Sequence, residues 1–581
     1  MIKNEIYEII KKSAEDQYSN IKTPVFSVEY PKQREHGDYA SNIAMILAKS
    51  LGRSPMEIAE KLAEKIKENG KSKELFEAIS AANPGFINIR MSGNYLMKNL
   101  EEVLSKKDKF GSSDIGKGKT VVIDYSAPNV AKPMHVGHMR STIIGQSLYN
   151  IYKFLGYRAI GDNHIGDWGT QFGKLIYAYK NWGIKKIVNE DPIEEMTKLY
   201  VRFHKEAEIN PELEEYARNE TKKLQNKDPE NLKIWKFLVR ESLKDYGKLY
   251  KILGIKFDYV LNESFYDNML PGVVKESLDR KISEESQGAI IINLEKQSLP
   301  PFLIRKTDGA YLYTTTDLAT AKYRKEKFKA DKILYVVANE QALHFRQLFA
   351  SLEILGWTGK AELEHIKFGM VLGDNGKKLA TRKGEVIRLE DLIKKAIEIS
   401  KKVVEEKSPN LSMKQKKKIA KVVGIGAIKY NDLSQNRMTD ITFNWDRMLS
   451  FEGNSGPYLQ YVYARINSLE DKYNNIYKID RFNLFDKPDF DLLTEGIEKE
   501  IMRKLINFPE AVENSAKENA PHLIALYLYE LASLYNNFYN SLPILKSEKK
   551  MAKARIALSR SVAVVMKNGL NLLGIEVLER I

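Results

Sequence analysis

Residues 126–146 read SAPNVAKPMHVGHMRSTIIGQ. Two imidazoles three positions apart, with a glycine between them, can aim two hydrogen-bond donors at one oxyanion. An apolar run at 121–123 precedes this stretch and helical spacing follows it. A helix that begins at the carboxyl end of a strand points its free N–H groups and positive dipole end into the crevice where parallel sheets bind ligands. Gly137 lets a ligand approach the backbone. His135 and His138 can donate to phosphate oxygens as charge develops, and Lys132 adds a mobile positive charge. A bare HxGH also suits a structural turn with two satisfied histidines. The SAPN context, Lys132 and a second basic segment favour the phosphate reading.

That second segment, GDNGKKLATRKGE at 373–385, sets Lys377, Lys378, Arg382 and Lys383 on a glycine-rich turn. Such a turn suits a polyphosphate, although an ordinary solvated basic hairpin reads the same way. Near the C-terminus, ALYLYELASLYNNFYNSLP at 525–543 places Tyr535 and Tyr539 four apart on one face of a helix. Exposed tyrosines beside lysines can stack single-stranded bases. Helix-bundle core is the plainer reading for most of these tyrosines.

The elements that must position these residues follow from periodicity. Residues 1–108 mix helical spacing (43–51, 58–66) with a strand pattern around 85–89. A polar run at 105–113 reads as a linker. From 109 to 390, short apolar runs at Thr120–Asp124, 158–161, 289–293, 332–337 and 365–372 alternate with helices, which predicts a parallel sheet with crossovers. A charged helical stretch at about 180–260 reads as an insertion between two halves of that sheet. Residues 391–455 and 456–581 are almost wholly helical.

The chain has 581 residues, 43% of them apolar, which predicts three or four domains. With no cysteine, disulfides, zinc-thiolate sites and thiol catalysis are excluded. The N-terminal segment lacks the apolar core of a signal peptide, and no stretch is long and apolar enough to span a membrane. A net charge of +15 suits a polyanionic partner, while a lysine-biased composition accounts for it as well.

Against this background, HVGH resembles the HIGH signature of class I aminoacyl-tRNA synthetases. The longer stretch DYSAPNVAKPMHVGHMRSTIIG resembles its form in arginyl-tRNA synthetases. GDNHIGDWGTQFG (161–173), YLYTTTD (311–317), NEQALHFRQ (339–347) and NSGPYLQY (454–461) resemble later segments of that family, in the same order. The basic loop stands where the class has KMSKS, but KLATR lacks the second lysine, a departure many arginyl enzymes share. Lys132, helped by Arg382 or Lys383, is the expected substitute.

The resemblance implies a multidomain α/β plus all-α protein. A Rossmann-type catalytic domain would lie between an N-terminal α/β domain and a C-terminal helical anticodon-binding domain. It implies ATP-dependent activation of L-arginine to arginyl-adenylate, with Mg²⁺ and bound tRNA required, then transfer to the terminal 2′-hydroxyl of tRNA(Arg). His135, His138, Lys132, Lys378 and Arg382 would be catalytic, and Gly137, His344 and Lys377 would join the ATP site. Asp124, Asn129, Tyr313, Asp317 and Gln341 would surround the arginine, with both aspartates on the guanidinium, whose five donors favour paired carboxylates. Asn83, Phe86 and Asn88, with Tyr535 and Tyr539, would contact the tRNA. A resident protein-bound metal is not expected, and a cytoplasmic monomer is. Two rivals remain. A cysteinyl or glutamyl enzyme would need metal ligands with cysteine or a cationic pocket. A non-catalytic tRNA-binding paralogue would have lost the histidines or the basic loop.

Overall fold

The computed structural model describes residues 2–19, 22–31, 33–183, 192–373, 376, 387–479 and 488–581. The N-terminal part folds around a four-stranded antiparallel sheet ordered Val28–Glu29, Tyr39–Ser41, Phe86–Met91, Phe76–Ala82. Amphipathic helices Ile2–Gln17, Ile43–Leu51, Pro55–Glu68 and Gly93–Lys106 bury their apolar stripes against one another and the sheet. The 43–51 and 58–66 patterns therefore appear as helices and the 85–89 alternation as part of a strand.

The central sheet is four-stranded and wholly parallel, ordered Glu362–His365, Lys332–Tyr335, Thr120–Asp124, Arg158–Asp162. Its two central strands, Thr120–Asp124 and Lys332–Tyr335, are apolar on both faces, as strands covered on both sides require. Val121, Ile123 and Leu334 pack in the core that includes helix Val136–Phe154. Val122, Ile160, Ile333 and Tyr335 pack in a second core with helices Tyr313–Phe328 and Ala342–Leu355. The register sets Asp162, Asp124, Tyr335 and His365 in one row at the carboxyl edge. The chain leaves Thr120–Asp124 for a neighbour on one side and later returns on the other, so the strand order reverses there and opens a crevice.

Two strand expectations need correction. Residues 289–293 do not join the parallel sheet. Gln287 (φ 52°) and Gly288 (φ 80°) form a tight turn that folds Ala289–Ile292 back on Ser283–Ser286, and Phe302–Arg305 completes an antiparallel meander. The run 365–372 is divided. Glu362–His365 ends the sheet, while Val371–Leu372 leaves it to pair with Ile441–Thr442.

The insertion comprises helices Pro192–Ile209, Glu212–Gln225 and Pro229–Leu253. Beyond Leu389 the described residues are mostly helical, and Lys549–Leu572 is buried over most of its circumference at the centre of the C-terminal bundle. Arg140, on helix Val136–Phe154, ties the site to this half. Its Nε donates to Asp432 (3.0 Å) and its Nη1 to the carbonyls of Gly369 and Thr439. The two ends of the molecule also meet, through Lys3–Glu510 (2.7 Å) and Arg503–Asp38 (2.8 Å). Among the described residues, no helix is long and apolar enough to cross a membrane.

Candidate active site

His135 caps helix Val136–Phe154 in extended backbone, and its Nδ1 accepts the Gly137 N–H at 3.0 Å. His138 Nδ1 accepts the His135 N–H at 3.2 Å. With Nδ1 an acceptor in each ring, the neutral imidazoles carry their proton on Nε2. The rings lie 3.9 Å apart. Burial, then electrostatic interaction with His135 and with the Lys132 ammonium, hold the His138 imidazole down to about 3. Gly137 is exposed, and a Cβ there would lie 2.8 Å from His135 Cε1, so a side chain would displace the ring. Lys132 Nζ rests 4.7 Å from the Tyr200 ring of the insertion.

The first signature is stitched to the end of the second. Val136 N donates to the Ile387 carbonyl (3.1 Å) and Leu389 N to that of Met134 (2.9 Å), which bridges His135 to Arg388. Lys377, Lys378, Arg382 and Lys383 themselves lie outside the described residues.

Asp124 ends its strand, only 6% exposed. The expectation paired its carboxylate with a bound guanidinium, but the chain supplies one of its own. Arg324 Nη2 donates to Asp124 Oδ2 (2.9 Å) and to Asp162 Oδ2 (2.8 Å), and Arg324 Nε donates to Asp162 (3.0 Å). Burial alone pushes this guanidinium down, but the two carboxylates more than reverse that and hold it well above its ordinary value. Asp317 lies seven residues earlier on the same helix face, and its Oδ2 accepts from His344 Nε2 at 2.7 Å. The exposed Tyr313 ring sits 5.1 Å from that of His344, so His344 stands beside Asp317 and Tyr313. Gln341 and Asn129 are exposed. A Cβ at Gly166 would come within 2.2 Å of Asn129 Oδ1, so glycine is what leaves room for that side chain.

Two residues escaped the sequence reading. Arg324 is one, and its signal was a basic residue two helical turns after Asp317. Glu263 is the other. Burial, with Asp317 and Asp167 near it and His164 opposing them, raises its carboxyl to about 7. An isolated glutamate in a short 3₁₀ segment carries no periodic signal.

The loop from Asp124 to His135 is strained. Ser126 (φ 74°), Ala127 (φ 44°) and Ala131 (φ 62°) hold the left-handed region without being glycine, a cost of about 1–3 kcal/mol each.

The outlying tRNA candidates divide. Asn83 is exposed and Phe86 half-buried, but Asn88 is buried inside its sheet. Tyr535 is a correction: its side chain is 0% exposed in the C-terminal core and presents no face to a base. Tyr539 stays half-buried, its ring 5.0 Å from the Arg465 guanidinium, which also lies 4.6 Å from Tyr461. Asn454 Oδ1 accepts the Tyr430 hydroxyl (2.6 Å), and Gln460 Nε2 donates to the Glu576 carbonyl (2.8 Å). The 454–461 motif therefore braces the helical half.

Three family models match the chain in succession: "Arginyl tRNA synthetase N terminal domain" over residues 1–91, "tRNA synthetases class I (R), catalytic domain" over 99–445, and "DALR anticodon binding domain" over 459–581. An arginine–tRNA ligase of Fusobacterium nucleatum is 43% identical over 578 residues, covering 99% of each chain. Another, from Halothermothrix orenii, is 41% identical over 579 residues, covering 100% of this chain and 99% of its own. Among solved structures, the arginyl-tRNA synthetase of Plasmodium falciparum superposes with a TM-score of 0.82 at 29% identity, covering 100% of this chain and 99% of its own. That of Thermus thermophilus shares the fold with the same TM-score at 23% identity, covering 100% of each chain. The chain belongs to the arginyl-tRNA synthetase family of class I tRNA synthetases.

Proposed function

We propose that this chain is an arginine–tRNA ligase that works at the carboxyl edge of its parallel sheet. The observation that carries this reading is a juxtaposition. An acidic group (Asp317, Glu263, and Asp124 beneath) and a helix start bearing two Nε2–H donors open on one switch point. A cationic amino acid fits the first and a polyphosphate the second.

In this reading the arginine α-carboxylate attacks the α-phosphorus of ATP and pyrophosphate leaves. The terminal 2′-hydroxyl of the tRNA then attacks the activated carbonyl. Asp317 carries the charge complementary to the guanidinium, Asp124, already paired with Arg324, offers only its second oxygen, Tyr313 packs on the guanidinium, and Asn129 and Gln341 orient its polar atoms. His135 and His138 donate to the phosphate oxygens at the helix N-terminus, where Gly137 leaves room. Lys132, Lys377, Lys378, Arg382 and Lys383 answer the pyrophosphate charge. Little covalent chemistry falls to the protein, so positioning and electrostatics set the rate. Among the described residues no three acidic or imidazole side chains gather around a metal position. Mg²⁺ would arrive with ATP, held by phosphate oxygens and water. Asn83 and Phe86 at one end, and Tyr539 with Arg465 at the other, are proposed tRNA contacts, and the protein is proposed to act as a cytoplasmic monomer.

The test is charging of tRNA(Arg) with labelled arginine, alongside arginine-dependent ATP–pyrophosphate exchange with and without tRNA. Arginyl-tRNA should form and lysine should be rejected. His138→Ala should cut kcat about a hundredfold or more with a smaller change in KM. Absence of arginyl-tRNA would remove the reading.

A further inference from the structure

The strained loop before the HVGH helix is gripped from outside the sheet. Ser242, Tyr246 and Tyr250 recur every four residues on insertion helix Pro229–Leu253 and so share one face. All three are buried. Ser242 Oγ accepts the Ala131 N–H at 2.9 Å and itself donates to the Leu238 carbonyl. The Tyr246 hydroxyl lies 2.6 Å from the Asn129 carbonyl and 2.8 Å from that of Lys132, so both share its proton. Tyr250 Oη is 2.8 Å from Ser126 Oγ and accepts from Asn163 Nδ2 at 3.2 Å. Asn163 Oδ1 in turn accepts the Ala127 N–H at 3.1 Å. The stripe thus reaches each of the loop's three positive-φ positions, directly or through one side chain.

We propose that Ser242, Tyr246 and Tyr250 are positioning residues, through which the insertion helix holds residues 126–132 in the conformation that presents Asn129, Lys132 and His135 to the reacting atoms. What reacts there rests on the function proposed above. Without this hold, Ser126, Ala127 and Ala131 relax toward negative φ and carry Asn129 and Lys132 with them. Catalysis by positioning is sensitive to displacements of about 1 Å. The three side chains are buried behind the loop, so their loss is read chiefly in kcat rather than in binding.

The test compares Tyr246→Phe and Ser242→Ala with Tyr527→Phe. The last deletes a buried hydroxyl that donates to the Lys504 carbonyl (2.7 Å) in the C-terminal bundle. In pyrophosphate exchange with tRNA present, each stripe variant should lose roughly tenfold in kcat and keep KM for arginine and ATP within about twofold. Tyr527→Phe should lose comparable thermal stability and keep its kcat. Adding Ala131→Gly, which makes positive φ permissible there, should restore part of the kcat of Tyr246→Phe. Unchanged kcat in both stripe variants, or an equal loss in Tyr527→Phe, would overturn the proposal. Hydrogen exchange at amides 126–132 tests the hold without any turnover: faster exchange in Tyr246→Phe supports it, and unchanged rates overturn it. Ser242→Ala serves both measurements should Tyr246→Phe fail to fold. A wild type that makes no arginyl-tRNA counts against the functional reading alone, because the exchange measurement still decides the hold.

Discussion

His138 enters the helix start as a neutral donor. Burial, then His135 and Lys132, take its imidazole from the ordinary 6.5 down to about 3. Between those values the unfolded chain binds a proton that the folded chain refuses, so stability from this group is lost as pH falls. The wild type's advantage in Tm over His138→Asn should therefore narrow as pH drops from about 7.5 to about 5. A gap that widens would mean the folded imidazole is charged. The two histidines and Gly137 were singled out by residue type and spacing, and the two aspartates by resemblance to the family. The partners of those residues were not. Asp124 meets Arg324 across 200 positions of chain, a separation at which no periodicity operates. Tyr535 and Tyr539 look alike in sequence, and only packing makes one core and the other surface.

At the scale of elements, helix Val136–Phe154 can carry its histidines to the sheet edge because Gly145 lets it lie against the strand's exit. A Cβ at Gly145 would come within 2.2 Å of Tyr125 Cβ, and neither backbone there can give. Gly145→Ala should destabilise the catalytic domain by about 1–3 kcal/mol, through overpacking, and lower kcat as the helix start moves. A thermal melt identical to wild type would show that the helix rides freely over Tyr125. Helices here were largely legible, since their apolar stripes recur every three or four residues along the whole insertion and the C-terminal half. Strands were less so. A short apolar run such as 289–293 reads the same whether its neighbour is parallel or antiparallel, and the Gln287–Gly288 turn decided the matter.

The whole molecule is joined at a buried lysine. Lys429 Nζ donates to the carbonyls of Leu253, at the end of the insertion, and of Gly574, near the C-terminus. Burial, opposed by Glu576, lowers its ammonium to about 8 from 10.5. Between these values the unfolded chain keeps a proton that the folded chain has released, so stability from this group rises with pH. The Tm of the wild type relative to Lys429→Met should climb as pH is raised from about 7.5 to about 10. A flat difference would show that the ammonium stays charged in the fold. The net charge of +15 belongs to this scale too. It suits the polyanion that the family charges, and phosphate contacts would make that association weaken with salt.

Sequence alone determined the parts that are local: a strand-to-helix turn bearing two histidines, an order of motifs, helices drawn by their apolar period. Those signals arise between neighbours in the chain and need no fold to be present. Tertiary structure decided which carboxylates already hold a cation, which tyrosine is hidden, and which distant helix keeps a strained loop in place. Each depends on side chains from remote segments meeting in a low-dielectric interior. There an unpaired charge or carbonyl is costly enough that the fold must bring it a partner.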